Sequence, residues 1–442
     1  MNGLVVLLLY ALALALIGMM LVQGLSRRVD LLSIRNLYLA SFIVYQIVSP
    51  ASALSTGNFS GFQIADATSL GKLFLLYAYA FTAVYLLSYH RLHLSDWLTK
   101  KFSGISADVP DSLLTGLAIA TVLIALPLRF LGARIALLGG LSSSVSFSMA
   151  AIACAIAGWV WGHRRFNFAV IAMAAVIFAV SLVIAMYGSY SRRPLLGILM
   201  GFCWGAYYRW ARHISPKQLL IKTAPLVLGG MLVLSAFTAI RSHKSSALDV
   251  REVIRKMAGA DVKTGAKDVL GGQSCGAASL WALEQYPDYL EPKPLFSLQY
   301  MFYYYVPRKL WPEKPDVLSN HVASLANIKG VNQTGITIPP GVIGYAAAEG
   351  GFYALIIYAI FFGQFSRFFD DFVRRNPGNA FIILPIGSAI GQFLGLARGD
   401  IAVMTNMIVV GFVSTFLLMQ IAKKMFGRPT RTEYWIPVPQ PR

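Results

Sequence analysis

Five arginines carry the first chemical signal in this sequence. Arg192 and Arg193 stand in GSYSRRPLLG, Arg241 in AIRSHK, Arg308 in VPRKLWPEKP and Arg398 in LARGD. A guanidinium stays charged at any ordinary pH and offers a planar fork of donors, so several on one surface suit a phosphate or another anionic head group. Each taken alone could also snorkel to lipid phosphate or pair with a local carboxylate, as Arg398 could with Asp400. Three further side chains could take a proton from an attacking hydroxyl: Glu349 in YAAAEGGF, Asp400 and His321. Glu349 could equally be a paired structural carboxylate. Tyr300, Phe302, Tyr303, Tyr304, Tyr305 and Trp311 form the densest aromatic run in the chain. Such rings belong in an interfacial belt, and they also stack on sugar faces while their polar tips reach hydroxyls. On that reading Tyr304, Tyr305 and Trp311 contact substrate, and Pro307, Pro312 and Pro315 stiffen the chain that holds Arg308.

Other site types are missing. There is no Cys/His cluster at metal spacing, no phosphate-cradling glycine loop followed by lysine, and no GxSxG turn, so neither a metal nor a cofactor is expected. The six histidines fall in loops, which leaves no intramembrane proton relay. Cys154 and Cys203 lie in apolar blocks and Cys275 in a loop, so no structural disulfide is expected.

The elements that must position these residues are membrane spans. The 442 residues are 57% hydrophobic and only 13% charged, with a mean hydropathy of +0.61, whereas a soluble chain carries about a quarter charged residues. Soluble enzymes, disordered chains and secreted disulfide scaffolds are thereby excluded. A hydrocarbon core about 30 Å thick needs roughly 20 apolar residues. Eleven such blocks are found, at about 3–23, 36–54, 69–89, 111–128, 146–162, 167–188, 194–208, 219–240, 341–363, 380–397 and 401–421. The expected fold is an all-α polytopic membrane protein of about 11 transmembrane helices. Spans 1–8 occupy 1–240, one large outer loop 241–340, spans 9–11 occupy 341–421, and a basic tail 422–442.

Charge sets the expected orientation. With the N-terminus outside, the inner loops 24–35, 90–110, 162–166, 209–222, 364–379 and 422–442 hold 20 Lys and Arg, against five in the short outer loops. Arg27 and Arg28 follow the first block and no basic residue precedes it, the pattern of a reverse-oriented anchor and not of a cleaved signal peptide. The net charge of +19 is then accounted for by topology and anionic lipid, and calls for no nucleic-acid partner. The five arginines run against this trend.

Taken together, PRKLWPEKP in a long outer loop before the last three spans, the SYSRRP turn, TIPPGVIGYAAAEGGFYA and ARGD resemble the bacterial O-antigen polymerases, the Wzy-type oligosaccharide repeat-unit polymerases. The likeness covers about 185–400 in scattered pieces. One departure is Tyr345, where many relatives carry glutamate. The resemblance implies a metal-independent glycosyltransferase at the periplasmic face of the bacterial inner membrane. It would join repeat units linked to undecaprenyl pyrophosphate, with the pyrophosphate as leaving group and a chain-length regulator as partner. The termini would be periplasmic and cytoplasmic respectively. In that scheme Arg192 or Arg193, Arg241, Arg308 and Arg398 hold pyrophosphate, while Glu349, Asp400 and His321 are the candidate bases. An O-antigen ligase would use the same donor. A flippase or transporter of the same lipid would need inverted repeats and charges at the bilayer midplane, and the span interiors hold almost none.

Overall fold

The computed structural model describes residues 2–101, 107–132, 135, 139–187, 192–215, 217–219, 221–222, 274–328, 337–426 and 428–429. In chain order its helices are α1 (Asn2–Leu25), α2 (Ile34–Thr56), α3 (Ala67–Arg91), α4 (Asp96–Lys101), α5 (Asp111–Phe130), α6 (Gly139–His163), α7 (Phe168–Met186) and α8 (Arg192–Arg209). There follow α9 (Cys275–Gln285), α10 (Phe296–Tyr303), α11 (Leu318–Leu325), α12 (Gly341–Ala348), α13 (Phe352–Arg375), α14 (Ala380–Leu396) and α15 (Ile401–Phe426). The strand pairing among the described residues is two residues long, β1 (Ala107–Asp108) antiparallel to β2 (Arg428–Pro429).

Among the described residues, eight helices are long and apolar enough to cross a membrane: α1, α2, α3, α5, α6, α7, α13 and α15. The chain is a multi-pass helical membrane protein. Leu4, Leu7, Leu14, Leu76, Leu123, Val176, Val183 and Leu417 all point outward, and so broad an apolar surface is tolerable only against lipid. The eleven expected blocks fare unequally. Block 219–240 lies outside the described residues from Thr223 onward. Block 194–208 falls within α8, which is not among the eight. Block 380–397 becomes α14, whose 17 residues rise about 25 Å at 1.5 Å each, short of a full hydrocarbon core. Almost every α14 residue is buried among neighbouring helices.

Block 341–363 is not one span. The helix stops at Ala348, Gly350 and Gly351 take φ values of 137° and 62°, and a new helix starts at Phe352. Two successive residues with positive φ are accessible to glycine at little steric cost, so the Gly-Gly pair is what lets the chain turn here. A hydropathy window averages across so short a break. The crossing helix is therefore α13, with Glu349 in the turn before it.

The bundle is closed by small residues and aromatic layers. A Cβ on Gly158 would collide with the Phe202 carbonyl, and one on Gly205 with the Ala155 carbonyl. Helices α6 and α8 thus touch backbone to backbone, the geometry that drives association where lipid offers no hydrophobic gain. Trp204 is fully buried and donates from Nε1 to the Ile383 carbonyl at 2.8 Å, tying α8 to α14. Phe365, Phe369, Phe372, Phe393, Phe412 and Phe416 stack where α13, α14 and α15 meet.

Polar groups gather at two ends. At one, Asp370 accepts from the Ile34 and Arg35 amides at 2.7 and 3.1 Å and from the Tyr89 hydroxyl at 2.8 Å, capping the start of α2. Arg212 pairs with Asp30, Arg164 with Asp111, and Arg367 with Asp96 and Asp371. With the β1–β2 pairing, these contacts bring together segments from all six loops expected on the inner side. The other end carries α9 to α12, and is called the loop end.

The α6–α8 contact gives a direct expectation. Gly158→Ala and Gly205→Ala should each cost about 1–3 kcal/mol through overpacking and lower the melting temperature of the detergent-solubilised protein. Gly116→Ala, where a Cβ meets nothing within 4 Å, should not. Equal melting of all three variants would contradict this packing.

Candidate functional site

The long segment does not stand off the bundle as a separate lobe where it is described. Helix α9 has Cys275 to Leu283 buried and packs on the middle of α2, whose residues Ile43–Val48 form a π-helical turn. That turn places the buried Gln46 where Nε2 reaches Cys275 Sγ (3.4 Å), while Oε1 accepts from Ser279 Oγ and the Ile343 amide (3.4 Å each). The Gly276 amide bonds Ser49 Oγ at 3.1 Å, and the Glu284 carboxylate accepts from the Ala65 amide at 2.7 Å. Gln46 is thus the hub that joins α2, α9 and α12.

Helix α10 is fixed by Glu349. Its carboxylate accepts from the Ser297 amide at 2.8 Å, from Ser297 Oγ at 2.6 Å and from the Tyr358 hydroxyl. The first of these satisfies an orphan amide in the opening turn of α10, a cap supplied from 52 residues away. The Lys293 and Leu295 amides bond the Ala348 and Glu349 carbonyls at 3.0 Å. Glu349 is 2% exposed. Burial pushes its carboxyl up to about 7, against the Ser297 and Tyr358 bonds, and the nearby Asp400 adds to the rise. Both oxygens are engaged and sealed from solvent, so in this arrangement Glu349 acts as a structural clamp rather than an accessible base.

After α10 the chain makes the loop that contains PRKLWPEKP. Lys314, 7% exposed, turns its ammonium inward and donates to the Tyr304 carbonyl at 2.5 Å and the Val306 carbonyl at 3.1 Å. It lies over the Tyr300 and Tyr304 rings at 5.1 and 5.6 Å. Burial, and after it Arg308, lowers its proton affinity. Arg308 donates to the Lys314 carbonyl at 3.0 Å and pairs with Asp316 at 3.4 Å, with 53% of its side chain open. It therefore fastens the loop and still offers part of its fork outward. Trp311 meets the edge of Tyr303, Tyr305 meets the edge of Tyr304, and the Tyr305 hydroxyl reaches Ser144 on α6 at 3.5 Å.

Asp400 opens α15 by accepting from the Val403 amide at 3.2 Å, and takes bonds from the Tyr345 hydroxyl at 2.6 Å and Ser319 Oγ at 3.2 Å. It is 6% exposed, and burial raises its carboxyl. The pairing of Asp400 with Arg398 is not formed. Arg398 turns to the other side, its guanidinium 5.4 Å over the Tyr45 ring, while Asp400 faces α11 and α12. His321 is exposed on α11. Two residues beyond Ser319, it points about 200° around the helix from the face that meets Asp400.

The structure thus brings Glu349, Asp400, Arg308, Tyr304 and Tyr305 into one assembly centred on Tyr300. Burial, and after it Asp316 and Asp400, pushes Tyr300 up to about 12, while Arg308 opposes the rise. His321 is not part of this assembly. Arg192 and Arg193 begin α8 at the same end, their side chains outside the described residues, and Arg241 lies outside them altogether. Lys314 escaped the sequence reading although it sits inside the singled-out motif. A lysine between two prolines in an aromatic loop is the signal that could have found it. Ser297, Ser319, Tyr345 and Tyr358 offered none, because isolated hydroxyls acquire a role only through distant partners. No protein-family model matches the chain, no curated protein is significantly similar to it, and no solved structure matches its fold.

Two outcomes follow for the clamps. Glu349 has a higher proton affinity folded than unfolded, so its ionisation destabilises the fold progressively from about pH 4.5 to about 7 and by a constant amount above. Glu349→Gln keeps the shape and removes that penalty. Its melting temperature relative to wild type should rise across this window and then level off, whereas Glu349→Ala should melt lower throughout. A Gln variant that loses ground as pH rises would contradict the assignment. For Lys314, replacement by alanine should speed tryptic cleavage after Lys309 by about tenfold or more, the equivalent of losing about 1.4 kcal/mol of loop closure. Unchanged cleavage would show that the staple does not hold the loop.

Proposed function

We propose that this chain polymerises oligosaccharide repeat units linked to undecaprenyl pyrophosphate into a surface polysaccharide. The site is the loop end, which on this reading faces the periplasm of a bacterial inner membrane, with the N-terminus there and the basic tail in the cytoplasm. The observation that carries the proposal is the fold of the PRKLWPEKP loop. The motif with the strongest likeness to O-antigen polymerases is stapled by Lys314 onto an aromatic platform and docked on the membrane bundle.

A glycosyl transfer that expels a lipid pyrophosphate needs positive charge fixed where negative charge develops. Arg308 has its guanidinium fixed from one side by the Lys314 carbonyl and Asp316 while half of its side chain stays open. That combination limits reorganisation at the moment of reaction. Trp311 and Tyr303 form an open aromatic corner beside it, suited to a sugar face. Arg192, Arg193, Arg241 and Arg398 remain candidates for the second phosphate. Glu349 and Asp400 serve this scheme as positioning groups that hold α10 and α15, and His321 is the one candidate base among the three that is exposed. A chain-length regulator is the expected protein partner.

Deletion of the gene in the native host, with complementation by wild type, Arg308→Ala or Arg308→Lys, tests the reading by electrophoresis of the surface polysaccharide. The deletion should leave core bearing a single repeat unit. Arg308→Ala should restore no ladder although the protein accumulates in the membrane, and Arg308→Lys should restore it poorly, since lysine lacks the planar fork. Loss of every repeat unit from the core would point instead to a ligase or flippase. A normal ladder from Arg308→Ala would overturn the role of Arg308.

A further inference from the structure

A cavity of about 260 Å³ opens at the loop end among α5, α6, α7, α8, α14 and α15, and none of the residues considered so far as catalytic lines it. Its polar lining is Arg129 at the end of α5, Ser143, Ser144 and Ser148 on α6, and Gln392 on α14, with apolar side chains completing the wall. Its volume lies just below the roughly 300–1,000 Å³ of pockets that hold drug-sized molecules, so it suits a head group and not a whole oligosaccharide.

The hydrogen-bond inventory says which head group. Arg129 is held by bonds from its two terminal nitrogens to Ser143 Oγ and the Tyr187 carbonyl, and its buried Nε–H has no partner among the described residues. Gln392 is 8% exposed, and its Oε1 likewise has no partner among the described residues. The site therefore holds one unfilled cationic donor and one unfilled neutral acceptor. Buried polar atoms are nearly always satisfied, because an unpaired one has lost its bonds to water without replacement. A bare phosphate dianion would answer the arginine and leave the amide oxygen unmatched. A neutral sugar could bond both groups through its hydroxyls, but would leave the guanidinium charge without a counterion. A phosphate carrying a hydroxylated ring answers both, and the serine hydroxyls can donate or accept as needed. Ser144 also bonds Tyr305 at 3.5 Å, so the rim of the cavity is joined to the aromatic platform.

We propose that this cavity binds a glycosyl phosphate, Arg129 taking the phosphate and Gln392 a ring hydroxyl. Its position at the membrane end of the bundle makes a lipid-borne glycosyl phosphate the source, which rests on the function proposed above. A free sugar phosphate carries the same chemistry.

The test is binding to purified full-length protein in nanodiscs of zwitterionic lipid. The probes are a polyisoprenyl-pyrophosphate-linked monosaccharide, a free sugar 1-phosphate and phosphatidylglycerol. Wild type should bind the lipid-linked sugar. Gln392→Glu, which sets a carboxylate opposite the phosphate with almost no change of shape, should weaken it at least tenfold, as should Arg129→Ala. If Arg129→Ala fails to fold, Met407→Trp, which fills the cavity from α15, must give the same loss. Tight, Arg129-dependent binding of the free sugar phosphate would keep the cavity assignment and change the source. Equal competition by phosphatidylglycerol, or wild-type affinity in Gln392→Glu and Met407→Trp, would overturn it. The two proposals fail separately: Arg129-dependent binding in a protein that makes no polymer overturns only the polymerase reading. Loss of polymer with unchanged binding in the cavity variants overturns only the cavity.

Discussion

A backbone amide in hydrocarbon has no partner but another group of the protein, and the architecture of this chain follows from that. Helices satisfy their own amides, so the slab is crossed by helices. Two places among the described residues where regular geometry lapses are both supplied with partners from the protein. The π-helical turn of α2 brings Gln46 to face α9 and α12. At the turn Glu349–Gly351, the Leu295 amide answers the Glu349 carbonyl, the Lys293 amide answers the preceding Ala348 carbonyl, and the Gly351 amide donates to the Ala346 carbonyl at 2.7 Å. Irregular backbone survives here because protein, not lipid, surrounds it.

The same constraint sorts charge. Only the ends of the bundle tolerate ions cheaply, and the two ends use them differently. At one end a network of arginines and aspartates locks α4 to α13, and Asp370 of α13 caps α2 through the Ile34 and Arg35 amides. At the loop end the carboxylates are buried singly and act as caps, Glu349 for α10 and Asp400 for α15. A carboxylate at the start of a helix meets both unsatisfied amides and the favourable end of the dipole. The two acids nominated as bases in the sequence are thus both buried and bonded in the fold. What they hold still is the segment that exposes Arg308 and the tyrosine–tryptophan surface.

The cavity beside Arg129, on the proposal made for it, would recognise a ligand without a cluster of formal charges. One guanidinium, one amide and a row of serines leave a donor and an acceptor unfilled a short way from the aromatic platform. Their separate positions on α5, α6 and α14 mean that no single helix makes the site. It exists only while the backbone contact of α6 with α8 keeps the surrounding helices at their spacing.

Much of the fold was legible in the sequence, because a membrane span is a local property. Twenty apolar residues are needed whatever their neighbours, so α1, α2, α3, α5, α6, α7 and α15 can be read from composition, and the alternation of basic loops from counting. The aromatic run and the stiff proline-rich loop were legible for the same reason. The Gly-Gly break escaped because three residues vanish in a twenty-residue average. So did the pairing of Asp400 with Tyr345 and Ser319 instead of Arg398, the capping of α10 by Glu349, and the burial of Lys314. Each of these joins groups that are far apart in the chain, and a hydrogen bond of 2.6 Å between Tyr345 and Asp400 leaves no trace in either local sequence. Local composition suffices to show a multi-pass helical membrane protein and to mark most of its long apolar helices, and it nominates the residues at their ends. Tertiary structure alone decided which of those residues are sealed and which are free, because directional bonds are fixed by position in space and hydropathy is not.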